Sequence, residues 1–152
     1  MSATERIADE LLEAIELGID ADDYCAARGF GITHAEVMEA VDRQEELWEY
    51  ALALQAGATH AECMEAVDRQ ENLWGYAFSR AAGDTHAEFL EVVEAGIDAG
   101  EYCAVREEGT THAEVMEAVN RQADLWHYAL ARKAGASHEE ALKADEGVAG
   151  RA

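Results

Sequence analysis

Five histidines recur at one constant interval, His34, His60, His86, His112 and His138. Imidazole binds metals and carries protons near neutral pH, and the first four have carboxylates beside them that could share an ion. These are Glu36 and Glu39, Glu62 and Glu65, Glu88 and Glu91, and Glu114 and Glu117. A series of metal sites could be built only on this His and carboxylate ladder. Against it, each His opens a helix, and successive ones fall too far apart to hold one ion. The spacing predicts instead that each imidazole donates to the last carbonyls of the preceding helix or packs on its end. No metal and no cofactor is expected.

The paired glutamates lie one helical turn apart and predict an exposed acidic stripe. Arg43, Arg69 and Arg121 follow the second Glu by four residues, a spacing for surface pairs worth ~0.3–0.5 kcal/mol each. Nothing in the pattern buries one glutamate to raise its pKa, so the pairs make poor general acids or bases. Cys25, Cys63 and Cys103 form no Cys-x-x-Cys pair, and their odd number predicts reduced thiols; Cys25 and Cys103, in the helix B register of Ala51, Ala77 and Ala129, are expected to be small apolar fillers. No nucleophile–base pair, P-loop, dinucleotide fingerprint, His-Glu-x-x-His or EF-hand loop is present. Asp20-Ala21-Asp22-Asp23 lacks the glycine and closing Glu of a calcium loop. An enzyme is not expected.

The elements that position these residues follow from the same period. Thr-His-Ala-Glu begins at Thr33, Thr59, Thr85 and Thr111, and Ser137-His138-Glu139-Glu140 continues the series. Segments 33–58 and 111–136 are identical at 20 of 26 positions, and 33–58 and 59–84 at 18 of 26. Residues 7–32 form a worn first copy, with Leu11-Leu12-Glu13-Ala14-Ile15 in the register of Val37-Met38-Glu39-Ala40-Val41. Five repeats (7–32, 33–58, 59–84, 85–110 and 111–136) and a half repeat, 137–146, result, with 147–152 expected to fray.

Each copy punctuates two helices. Thr followed three residues later by Glu is a capping box, and the apolar spacing after it predicts a helix A of about ten residues. Gly18-Ile19-Asp20 and Gly96-Ile97-Asp98 stop one helix and start the next, with Asp23 and Glu101 completing the caps. Helix B then ends at Gly31, Gly57, Gly83, Gly109 and Gly135, each suited to a left-handed C′ position. Helices this short are marginal alone, so they must stack on neighbouring copies. The expected fold is all-α, an α-solenoid forming one helical-repeat domain over 1–152. Helix A of the half repeat, with Glu139, Glu140 and Lys143, reads as its polar cap.

The copies are of two kinds. Trp48, Trp74 and Trp126, with Leu52, Phe78 and Leu130 one turn on, mark three heavy copies. The other two carry Asp22 and Gly100 at the Trp position and Ala26 and Ala104 one turn on. They supply Ile19 and Ile97 at the inter-helix turn, where the heavy copies have Glu45, Glu71 and Ala123. The order light, heavy, heavy, light, heavy makes 7–58 resemble 85–136, three repeat periods further along the chain. Each Trp either fills the groove between helices A and B or forms an exposed aromatic ridge that anchors a partner.

The chain has 33 acidic and 11 basic residues, a formal charge of −22. That charge repels phosphates and anionic lipid, so direct nucleic-acid or membrane binding is not expected. No apolar leader or spanning stretch is present, which predicts a soluble, cytoplasmic protein. Zero prolines and 49% hydrophobic residues suit a helical chain with a real core.

The units resemble tetratricopeptide, HEAT and armadillo repeats in their logic, although none of those has this period. Thr-His-Ala-Glu with a closing Ala-Gly-Ala, as at Ala56-Gly57-Ala58 and Ala134-Gly135-Ala136, is similar to a bacterial and phage class of α-helical repeats. That likeness covers 33–140 well and 7–32 loosely, and implies no activity.

The expected function is a non-enzymatic scaffold that offers a basic protein partner its Trp residues and glutamate stripe. The alternative is a DNA mimic that inhibits a nucleic-acid-binding protein. B-DNA carries one charge per ~1.7 Å; at ~10 Å per stacked repeat the acidic array would carry about one per 2.5 Å. A metal-binding His ladder is the second alternative.

Overall fold

The computed structural model describes residues 2–43, 46–69 and 73–149, with side chains through Ala144. Among these residues there are eleven α-helices and no strand. Glu45 and Glu71, at the inter-helix turns, and residues 150–152 lie outside the described residues.

Helix A of the successive copies is α1 (Ala3–Glu16), α3 (His34–Arg43), α5 (His60–Arg69), α7 (His86–Glu94) and α9 (His112–Asn120). Helix B is α2 (Ala21–Gly29), α4 (Leu47–Gln55), α6 (Trp74–Ala81), α8 (Ala99–Glu107) and α10 (Leu125–Lys133). The closing half repeat is α11 (His138–Ala149), which continues into the stretch expected to fray.

The caps explain the boundaries. Thr33 and Glu36, Thr59 and Glu62, and Thr111 and Glu114 each exchange two bonds, hydroxyl from amide and carboxylate from amide, at 2.9–3.2 Å. Asp20, Asp98 and Asp124 accept from the amide three residues on and start α2, α8 and α10. Gly31, Gly57, Gly83, Gly109 and Gly135 all have φ between 86° and 102°, the left-handed region in which a side chain would be strained. The first copy departs from expectation. Its helix begins at Ala3, because Ser2 and Glu5 form a capping box of their own ahead of the repeat register.

The chain packs as two compact units, Met1–His86 and Ala87–Ala152. In the first, α2 packs on α4, α4 on α6 and α3 on α5, so equivalent helices of consecutive copies are neighbours. In the second, α8 packs on α10 and α10 on α11. The buried positions follow the period. Ala14, Ala40, Ala66, Val92 and Ala118 share one register of helix A, and Val37, Cys63, Phe89, Val115 and Ala141 share another, all without solvent exposure. The core of the second unit is Val92, Tyr102, Val105, Val115, Tyr128 and their neighbours, closed by Ala141 and Leu142 of α11.

Candidate functional site

The ladder of histidines is built into the packing. Tyr24, Tyr50, Tyr76, Tyr102 and Tyr128, the chain's five tyrosines, are buried in one register of helix B. Each phenol oxygen lies 2.6–3.0 Å from Nδ1 of the His ten residues on. The paired rings meet edge to face at 5.7–5.9 Å. This corrects the expectation that each imidazole donates to helix-end carbonyls: the tyrosine hydroxyl, buried and needing a partner, takes that place.

The other ring nitrogen faces the second glutamate of the preceding helix A. His86, His112 and His138 bond Glu65, Glu91 and Glu117 at 3.0–3.2 Å. For His34 and His60 the carboxylates of Glu13 and Glu39 sit at 3.3 and 3.6 Å without hydrogen-bonding geometry. In two copies an arginine adds a third link, Arg28 to Tyr24 at 2.8 Å and Arg80 to Tyr76 at 2.9 Å. A phenol oxygen that accepts from arginine sends its own proton to Nδ1, so Nε2 carries the ring N–H toward the carboxylate. The imidazoles are thereby spent as joints between copies. Burial pushes the Tyr76 phenol up to about 12, against the nearby Arg80, so it stays protonated as this role requires.

Glu139 replaces the Ala35, Ala61, Ala87 and Ala113 of earlier copies. It brings a third donor atom to Glu117 and His138, all within 4.8 Å of one another. His138 is already held by Tyr128 at 2.6 Å and Glu117 at 3.0 Å.

The paired glutamates separate into two roles. Glu36, Glu62 and Glu114 are the capping-box partners. The Thr33 and Thr111 amides, opposed by some burial, hold Glu36 and Glu114 below the usual carboxylate range. Glu62 is also lowered: burial opposes, but the Thr59 amide and the Arg80 charge outweigh it. Glu88 stands in the same register at the start of α7. Glu39, Glu65, Glu91 and Glu117 are about half exposed while facing the histidines. Arg43, Arg69 and Arg121 pair with Glu39, Glu65 and Glu117 at 3.6–3.8 Å, as the spacing predicted. The expected exposed stripe is thus corrected to the second glutamate of each pair, which is tied to the joints, whereas Glu36, Glu62, Glu88 and Glu114 are half-buried. Of the thiols, all three free, Cys63 and Cys103 are buried fillers; Cys25 is exposed and fills nothing.

The tryptophans lie on the outer side of helix B. Trp48 is 41% exposed, Trp74 38% and Trp126 62%, with Phe78 and Leu130 also open to solvent. Trp74 and Phe78 stack at 5.0 Å. The ridge alternative, rather than an internal groove filler, describes these side chains.

Where a light copy precedes a heavy one, the small residues open a groove. In the first unit α2 supplies Ala26, Gly29 and Phe30, and α4 supplies Trp48, Ala51 and Leu52, around about 650 Å³. In the second, Ala104 of α8 faces Trp126, Ala129 and Leu130 of α10 around about 500 Å³. Each residue lining the first groove has its counterpart, three copies on, among those lining the second. Carboxylates line the second groove, and among the described residues none lines the first. Asp98, Glu101, Glu107 and Glu108 edge the second, and Asp22 and Asp23 stand one turn before Ala26 on α2.

Sequence reasoning missed the tyrosine joint, although a tyrosine period equal to that of the histidines and in phase with it was there to find it. No family model, curated protein or solved structure matches the chain. Among the described residues no helix is long and apolar enough to cross a membrane.

Proposed function

We propose that the chain is a non-enzymatic protein-interaction scaffold, in which stacked helical hairpins form an α-solenoid that holds an acidic, Trp-bearing surface for a basic protein. The observation that carries this reading is the partial exposure of Trp48, Trp74 and Trp126, each more than a third open to solvent on its own helix B. Large aromatic side chains left partly in water at repeated positions cost solubility, whereas on a binding face they supply most of the affinity. The charge of −22 selects a cationic partner and speeds encounter. The histidines, both ring nitrogens facing protein groups, support a structural role for the ladder rather than a metal-binding one.

The test compares the wild type with a Trp48→Ala/Trp74→Ala/Trp126→Ala variant, each immobilised and exposed to host lysate at about 0.05 and 0.5 M salt. Basic proteins are expected on the wild type, retained in part at high salt and absent from the variant, whose helical circular dichroism is unchanged. Retention by both proteins alike, with release by duplex DNA and by salt, would instead support the DNA-mimic alternative.

A further inference from the structure

We infer that the two grooves are two equivalent receptor sites for one kind of ligand, a short cationic amphipathic helix, so that one chain binds two copies of it. The inference rests on the scaffold reading above and names the occupant of its surface.

Three observations converge. First, the grooves share one apolar set: Ala26, Trp48, Ala51 and Leu52 of one correspond to Ala104, Trp126, Ala129 and Leu130 of the other, while Gly29, Phe30 and Gln55 stand where the other has Glu107, Glu108 and Lys133. Second, each groove runs between two parallel-stacked B helices, with an alanine floor and walls of tryptophan and leucine. Along the Trp-bearing helix, from Trp48 to Gln55 and from Trp126 to Lys133, it is about two helical turns long, or ~10 Å at 1.5 Å per residue. That shape takes the apolar face of a helix whose anchors stand at i, i+4 and i+7. Volumes of about 650 and 500 Å³ lie within the ~300–1,000 Å³ usual for ligand sites. Third, nearby carboxylates select charge. Asp98, Glu101, Glu107 and Glu108 at the second groove oppose a single cation, Lys133. No charged side chain lines the first among the described residues, and the nearest acidic residues on α2, Asp22 and Asp23, stand one turn before its Ala26.

The repeats themselves supply the clean perturbation. Ala26 and Ala104 are exposed, and heavy copies carry Leu52, Phe78 and Leu130 in that register. Ala26→Leu and Ala104→Leu therefore fill the grooves with a side chain the repeat already tolerates, in the middle of a helix and outside the core.

The probe is a synthetic peptide of about four helical turns, leucines on one helical face and lysines elsewhere, with a control of equal composition whose leucines are scattered. Calorimetry on the full chain should give two amphipathic peptides per chain and a blue shift of tryptophan emission. Ala26→Leu or Ala104→Leu should reduce the stoichiometry to one. The double variant should weaken binding at least tenfold, to the level of the scattered peptide. A stoichiometry of one on the wild type, or two sites untouched by both substitutions, overturns the inference while leaving a charge-driven scaffold standing. Failure of both peptides to bind at low salt overturns the scaffold reading with it.

Discussion

Removing one hydroxyl, by Tyr50→Phe, tests whether the tyrosine joint holds consecutive copies together. Tyr50 has no solvent exposure, and its phenol lies 2.7 Å from Nδ1 of His60. This copy has Leu54 where others have arginine, so the substitution removes a single hydrogen bond. The net bond is worth about 1 kcal/mol, and leaving a buried nitrogen without a partner brings the cost to about 1–3 kcal/mol. For a chain of this size, ~2 kcal/mol lowers Tm by about 4–8 °C. Tyr76→Phe should cost about 1 kcal/mol more, because Arg80, bonded to that phenol at 2.9 Å, is charged and poorly exposed. The decisive measurement is a double-mutant cycle with His60→Leu, followed by urea unfolding. With both polar partners gone no orphan remains, so the double variant should be more stable than the sum of the single losses predicts by at least ~1 kcal/mol. Strict additivity would refute the reasoning: the hydroxyl and the imidazole would then be neighbours without being a joint.

Thr59→Ala should lose about 1 kcal/mol through the missing cap, and Glu62→Gln should blunt acid unfolding. Glu36, Glu62 and Glu114 sit below the ordinary carboxylate value of 4.5 in the folded chain. Their contribution is therefore complete above that value and lost as pH falls through the lowered one, and urea midpoints from pH 6 to 3 should show a shallower decline in the Glu62→Gln variant. Gly57, at φ 102°, should tolerate alanine only at a cost of about 1–2 kcal/mol, read by thermal unfolding; an unchanged Tm would show that this turn is not held in its left-handed form. A thiol reagent at pH 8 should modify Cys25 alone in the native chain and all three cysteines in denaturant, because Cys63, its thiol pushed up to about 12 by burial and by Glu62, stays closed. Fast native labelling of two or three thiols would contradict the burial pattern.

What could be read from the residues depended on whether a signal was local. Thr59 and Glu62 reveal a helix start because the capping box closes within four residues, and Gly57 reveals a stop because only its own backbone matters. Ser2 and Glu5 carried the same local sign and were overlooked because they precede the repeat register. The exposure of each Trp is not legible locally because it depends on what the neighbouring copy places beside it: Ala26 next to Trp48 makes a groove that neither residue announces. The joint was hidden for a similar reason. His34 lies ten residues from Tyr24 and 21 from Glu13, and no periodicity within one helix connects the three.

The ownership of each joint bears on how such a chain can change length. A copy contributes its own glutamate and tyrosine and borrows the histidine from the copy that follows, as Glu13 and Tyr24 borrow His34. Excising residues 33–58 would hand His60 to the same pair, and inserting a copy would interpose one complete joint without orphaning another. Growth and loss in whole units are thus chemically silent at the seams, as where α11 lends Tyr128 its His138.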